Sequence, residues 1–301
     1  MSISPSYIQL SNTGELARRA ETLRGMLKNC VLCPRVCKVD RTRGEMGDCK
    51  AGAGLMISSA FPHFGEEPPL VGLRGSGTIF LTHCNLRCVF CQNYDISHLG
   101  RGEEASTHEM AEIMLALQAR GVENINFVTP THYAPQIVEA VAIAAERGLQ
   151  LPLVWNCGGY ESIPVLRLLE GIVDIYMPDI KFFRQTPASQ YLKAPNYPQV
   201  ARKAALEMNR QVGPLQLNGR GVARRGLLVR HLVIPGHLED TELILKFIAS
   251  QLSPNSYVNV MDQFHPAWKS FEYPEINRRV ASAEWERAVS MARELGLTRG
   301  L

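Results

Sequence analysis

No run of about 18 apolar residues occurs in the chain, so no transmembrane helix is expected. The N-terminus, Met1-Ser-Ile-Ser-Pro-Ser6, lacks a basic segment followed by an apolar one. No signal peptide is expected from it, and a cytoplasmic location follows by default. Charge of one sign is also missing: 32 basic against 29 acidic residues leave a formal net charge of +3. That balance is too mild to imply a nucleic-acid partner. There is no low-complexity tract and no internal repeat. Charged residues are 20% and hydrophobic ones 46% of the 301, which excludes wholesale disorder and leaves room for one large core or two small ones.

Against these absences stand eight cysteines. In a chain with no secretory signal, they favour metal ligation or redox chemistry over a disulfide framework. Three of them, Cys84, Cys88 and Cys91, sit in Thr82-His-Cys-Asn-Leu-Arg-Cys-Val-Phe-Cys-Gln-Asn93, directly after an apolar run that reads as a buried strand. A four-iron cubane normally takes four thiolates. Three close thiolates hold three irons and leave one open to a chelating small molecule, and an open position separates a catalytic metal site from a closed structural one. Phe90 lies between two of these cysteines and is placed to shield a cluster from water. Three buried structural cysteines, or part of a zinc site, are the alternatives.

Four more thiols, Cys30, Cys33, Cys37 and Cys49, fall within twenty residues upstream, with Pro34 and nearby glycines suited to tight turns. They read as a four-ligand metal knuckle, for which zinc and a second iron–sulfur cluster are equally suitable, four thiols without a metal being the remaining alternative. Cys157 is isolated and reads first as a small residue lining a site, second as a ligand or radical partner.

From residue 78 onward, apolar β-rich runs alternate with amphipathic stretches. The runs are Thr78–Thr82, Asn124–Thr129, Leu151–Asn156, Ile172–Pro178, Leu227–Ile234 and Tyr257–Asp262. Stretches of helical spacing lie between them, at His108–Arg120, Ala134–Arg147, Ile163–Leu169, Tyr197–Arg210 and Thr241–Leu252. The alternation predicts right-handed βαβ units on a parallel sheet, an α/β fold. Six units suit a partial parallel (β/α)6 barrel with its chemistry at the C-terminal ends of the strands. A doubly wound sheet has the same alternation, and periodicity alone does not separate them. The expected division is residues 1–69, an N-terminal helix and cysteine-rich segment, and residues 70–301, the barrel with a C-terminal helix.

The Cys84/Cys88/Cys91 spacing resembles the signature of the radical S-adenosylmethionine (SAM) superfamily. Residues of about 70–270 resemble one branch of it, the pyruvate formate-lyase activating enzymes and related iron–sulfur proteins. Asn156-Cys-Gly-Gly-Tyr160, Met177-Pro-Asp-Ile-Lys181, Arg230-His-Leu-Val-Ile-Pro-Gly236 and Gln263-Phe-His-Pro266 carry that likeness. The resemblance implies a [4Fe–4S] cluster and SAM as cofactors. It implies an enzyme that cleaves SAM reductively to a 5′-deoxyadenosyl radical and abstracts hydrogen from a substrate. It also implies a flavodoxin- or ferredoxin-like electron donor, and a protein or peptide substrate that accepts a glycyl radical. By position it assigns Asn156, Asp179, Lys181, Arg230 and His265 to cofactor binding. Asp179 and Lys181 stand at i and i+2 of a strand, so both reach one ligand; a structural ion pair is the plainer reading. Arg230 and His231 alternate faces, and the resemblance selects Arg230. His265 serves either the site or the core.

The branch commonly has a Gly-Gly-Glu-like stretch at its second strand. Here that strand runs on to Thr129, Thr131 and His132, which offer hydrogen-bonding groups instead, His132 serving either the site or a turn. Two rival functions remain: a radical SAM enzyme acting on a small molecule or peptide side chain, and a non-catalytic zinc or iron–sulfur electron carrier or binding protein.

Overall fold

A computed structural model of the chain describes residues 4–301. Nine strands form: β1 (Leu55–His63), β2 (Ser76–Leu81), β3 (Glu103–Ala105), β4 (Ile125–Val128), β5 (Leu153–Cys157), β6 (Ile175–Pro178), β7 (Gln216–Leu217), β8 (Ala223–Leu232) and β9 (Tyr257–Met261). All six apolar runs of the sequence become parallel strands, paired in the order β2-β4-β5-β6-β8-β9. Each pairs with the next in sequence, so the winding never reverses. A doubly wound sheet requires such a reversal, and its absence resolves the ambiguity in favour of a partial barrel.

Every residue of β5 and β6 is buried. A parallel strand covered on both faces reads as an unbroken apolar run, which is why these were visible without alternation. The intervening helices run Thr107–Ala119, Ala134–Glu146, Ile163–Leu169, Tyr197–Val212 and Leu238–Phe247, and Ser282–Glu294 closes the chain. The first begins at a capping box: the Ser106 hydroxyl accepts the Glu109 N–H, and Glu109 accepts the Ser106 N–H.

The sequence reading did not contain β1, β3 or β7. The β1 strand pairs antiparallel with β2 and with β3, occupying the edge of β2 that a closed barrel would give to β9. Among the described residues β2 and β9 do not pair, and the sheet stays open. β1 begins in the expected N-terminal segment yet joins the barrel sheet. It runs to the N-terminal start of β2, where His63 pairs with Ser76, and leads into a loop whose Glu66 and Glu67 approach Arg230 of β8. No helix among the described residues is long and apolar enough to cross a membrane.

Candidate active site

Each of the six parallel strands ends at one cavity of about 390 Å³. β2 contributes Phe80 and leads into Cys84, Cys88 and Cys91. β4 contributes Thr129, and β5 Asn156 and Cys157. β6 contributes Asp179 and Lys181, β8 Arg230 and Leu232, and β9 Met261 and Gln263. Two strand exits bend through left-handed backbone at residues with side chains, His83 (φ 63°) and Thr129 (φ 61°). Such geometry costs on the order of 1 kcal/mol or more at each residue and concentrates at functional sites.

Three sulfurs line one wall. The Leu86 N–H donates to Cys84 Sγ at 3.4 Å, and Ser97 Oγ lies 3.0 Å from Cys91 Sγ. Burial pushes the Cys84 thiol up to about 12 and raises Cys88 and Cys91 as well. Cys84 and Cys91 also lie close enough to disfavour each other's charge. Burial thus disfavours the bare thiolates, and a nearby positive charge, as Lys181 already supplies, favours them. Among the described residues no three His, Cys, Asp or Glu side chains are gathered around a single-ion site. The donor set itself, three thiols converging on one cavity, would fit an iron–sulfur cluster held by Cys84, Cys88 and Cys91. Phe90 lines the cavity beside them and packs on Phe264 and Phe182 at ring separations of 5.7 and 6.3 Å.

The opposite wall is ionic. Arg230 Nε donates to Asp179 Oδ1 at 2.8 Å and its Nη2 to Asn156 Oδ1 at 2.7 Å, while Lys181 Nζ donates to Asp179 Oδ2 at 2.6 Å. Burial opposes the Asp179 charge, but Arg230 and Lys181 outweigh it and hold the carboxyl below its usual range. Asp179 and Lys181 form an ion pair with each other and both line the cavity. Arg230 faces the cavity. His231 turns the other way, wholly buried between Ile180 O (2.7 Å) and Thr241 Oγ1 (2.9 Å).

His265 is exposed and lies outside the cavity lining. Its Nδ1 sits 3.1 Å from Nε2 of Gln92, the residue after Cys91. His132 is likewise absent from the lining: its buried Nε2–H donates to Thr82 O at 2.9 Å, fastening the turn after β4 to the end of β2. Burial first, then Arg41, drives its pKa down to about 3, so it is neutral. Thr131 faces a buried carboxyl, Glu161, rather than the cavity.

Three contributors were missed by sequence reasoning. Glu66, from the loop after β1, lines the cavity, 3.9 Å from Arg230 Nη1 and 3.3 Å from His63 Nδ1. Glu67 stands 3.8 Å from the same guanidinium nitrogen. The available signal was two adjacent carboxylates ahead of Pro68-Pro69, unusual in a plain connecting loop. Tyr197 is the third. Its buried hydroxyl accepts the Lys181 N–H at 3.0 Å and donates between Gly158 O (3.0 Å) and Asp179 O (2.9 Å), tying the β5 and β6 exits together.

The chain is similar to several known proteins. The family model described as Radical SAM superfamily matches residues 78–248. The uncharacterized protein MJ0674 of Methanocaldococcus jannaschii is 34% identical over 289 residues, which cover 93% of this chain and 78% of that one. The uncharacterized protein MJ0808 of the same organism is 25% identical over 300 residues, 90% of this chain and 78% of that one. Among solved structures, Streptococcus suis SuiB bound to precursor peptide SuiA aligns with a TM-score of 0.47 at 11% identity, over 71% of this chain and 44% of SuiB. SuiB bound to S-adenosylmethionine aligns at 0.46 and 10%, over 71% and 45%. The match thus spans less than half of SuiB's length. The chain belongs to the radical SAM superfamily. It is a radical SAM enzyme whose cofactors are a [4Fe–4S] cluster and SAM.

Proposed function

We propose that Cys84, Cys88 and Cys91 hold the cluster, that the ionic wall holds SAM against it, and that the substrate is a peptide or protein presenting one group at the cavity mouth. When bound, the reduced cluster would supply the electron that splits SAM into methionine and a 5′-deoxyadenosyl radical, the group that would abstract hydrogen from the substrate. The chain's own residues bind, orient and exclude water. Asp179 and Glu66 are carboxylates suited to an ammonium group. Lys181 and Arg230 suit a carboxylate, and Asn156 suits hydroxyls. Arg230 already spans Asp179 and Asn156, so one side chain sets the spacing of two contacts. Phe80, Leu86, Phe90 and Leu232 supply the apolar, water-poor part of the wall.

The observation that carries the substrate class is the size of the cavity against the character of its rim. About 390 Å³ lies near the lower end for a single small-molecule ligand. With SAM seated, the space suits a reacting group better than a second whole molecule. Exposed aromatics adjoin the lining: Phe64, between the lining residues His63 and Gly65, is 64% exposed, exposed Phe61 stacks on the lining residue Phe80, and exposed Tyr94 follows the lining residue Asn93. Exposed aromatics at a site mouth are the usual anchors for a macromolecular partner. A partner enzyme that accepts a glycyl radical is the finer form of this reading.

The test is anaerobic reconstitution, reduction and addition of SAM. Formation of 5′-deoxyadenosine by wild type and its loss in Cys88→Ala is the expected result. A fully cluster-loaded wild type that never cleaves SAM overturns the proposal. For the substrate class, Phe64→Ser is expected to leave substrate-free SAM cleavage intact while lowering turnover of a co-purifying protein bearing the acceptor glycine. Unchanged turnover counts against a macromolecular substrate.

A further inference from the structure

Residues 26–54 have almost no regular structure: two short 3₁₀ turns, Met26–Asn29 and Arg41–Arg43, are all that forms. The segment nevertheless buries Cys30, Cys33 and Cys49, each to 6% exposure, with Cys37 half-buried among them. The four lie within one another's electrostatic reach. No disulfide joins any of them.

The backbone is shaped around these sulfurs. Cys30 N–H donates to Val39 O at 2.9 Å and Lys38 N–H to Cys30 O at 3.0 Å, which closes a small hairpin with Cys33 and Cys37 along it. Val36 N–H to Cys33 O (3.1 Å) tightens its tip, and Lys50 N–H to Gly47 O (3.0 Å) makes the matching turn before Cys49. Left-handed backbone occurs at Val36, Lys38 and Lys50, φ 48°, 57° and 64°. Each has a side chain, and each is next to Cys37 or Cys49. Three such residues in one short segment are a concentration of backbone strain that something in the segment must offset.

The sulfurs also take backbone donors. Asp48 N–H points at Cys37 Sγ at 3.4 Å, Arg35 N–H at Cys33 and Ala51 N–H at Cys49. Cys84 of the family motif receives the same i+2 N–H, from Leu86. A neutral thiol is a weak acceptor and a thiolate a strong one. Gly47 permits the closest approach: a Cβ there would stand 2.7 Å from Cys37 Sγ.

We propose that Cys30, Cys33, Cys37 and Cys49 hold a second, closed thiophilic metal centre, and that it braces the loop carrying the first. Four thiolates leave no open position, so this centre is structural or electron-carrying rather than substrate-binding. The four thiols lie within electrostatic reach of one another but are not gathered around a single-ion site in this structure, and drawing them together is the metal's contribution to folding. The brace is visible in the contacts. Arg87, inside the Cys84–Cys91 loop, donates to Asp48 O. Arg35 donates to Asn85 O at 3.0 Å and to Lys193 O at 2.6 Å. Buried Asn85 in turn donates to Tyr160 O at 2.7 Å. The knuckle is thereby fastened to the cluster loop and to the β5 exit.

The test is metal and sulfide analysis of the full-length Cys84→Ala/Cys88→Ala/Cys91→Ala variant, with circular dichroism to show folding. The variant is reconstituted with iron and sulfide in one sample and with zinc in another. One zinc, or about four irons with sulfide, per chain is expected, and which is retained identifies the centre. A folded variant that holds neither overturns the proposal. If this variant does not fold, wild type decides: zinc, or iron beyond one cubane, supports the second centre, and one cubane alone overturns it. For the brace, Arg35→Ala keeps every thiol. It is expected to retain both metals and to lose iron from the SAM-site cluster to a chelator several-fold faster than wild type. Equal rates overturn the bracing role. These readouts are independent of SAM cleavage, so failure here and failure of the proposed function are distinguishable.

Discussion

Glu161 shows what burial does to one carboxyl. It sits behind the cavity, fully enclosed, accepting from the Thr131 hydroxyl and from Trp155 Nε1 at 3.4 Å. Burial outweighs those donors and lifts its pKa from 4.5 to about 7. The folded state therefore keeps a proton that the unfolded chain releases between about pH 4.5 and 7. Its contribution to stability falls as pH rises through that window and is level above it. The size is about 3 kcal/mol. His132, depressed to about 3, acts with the opposite sign between pH 3 and 6.5, so the raw profile mixes the two. Subtracting the thermal-midpoint profile of Glu161→Gln isolates Glu161. The difference between wild type and variant is expected to change steadily from pH 4.5 to 7 and then flatten. A constant difference across that window would sink the assignment.

At the scale of elements, the site depends on the turns that leave the strands. Gly159 follows β5 with φ +76°, and a Cβ there would collide with the Asp179 carbonyl at the end of β6. Only glycine meets both demands. Gly159→Ala should destabilise the protein by about 2–4 kcal/mol and displace Asp179 from Arg230. Denaturant unfolding measures the first effect and SAM affinity the second. A variant with wild-type stability would mean that this turn is slack. The Gly-Gly pair was visible in the sequence as a turn, but its purpose was not, because the atom it avoids lies twenty residues away. Tyr197 was hidden for the same reason: it belongs to a helical stretch and reads as core until the two strand ends it joins are seen together.

Over the whole molecule, the six strand ends converge and the cavity becomes a place where ligand binding and folding are linked. A ligand that binds only the folded state at a hundred times its dissociation constant adds about 2.7 kcal/mol, a rise of a few degrees in the unfolding midpoint. SAM is expected to produce that shift in the cluster-loaded enzyme. Arg230→Ala, which removes the tie between Asp179 and Asn156, should abolish most of it. A full shift in the variant would place SAM elsewhere. The unpaired edge between β2 and β9 is also a property of this scale. β1 lies along β2 where closure would place β9, and the loop it leads into is what brings Glu66 to Arg230.

The sequence by itself determined the six parallel strands, their intervening helices and the cysteine triad. These rest on local patterns: buried runs, helical spacing and three thiols within eight residues of one another. It also marked Asp179, Lys181 and Arg230, because each stands at the end of a readable strand. Only the tertiary structure decided what those patterns leave free. The order of pairing separates a partial barrel from a doubly wound sheet. The antiparallel β1, with only short apolar stretches, was not visible as a strand, and Glu66 and Glu67 came to the site with it. His265 and His132 stand outside the cavity lining, hydrogen-bonded to Gln92 and to the Thr82 carbonyl. Contacts between residues far apart in the chain are not encoded in any local period, and in this protein they decide which side chains share the cavity.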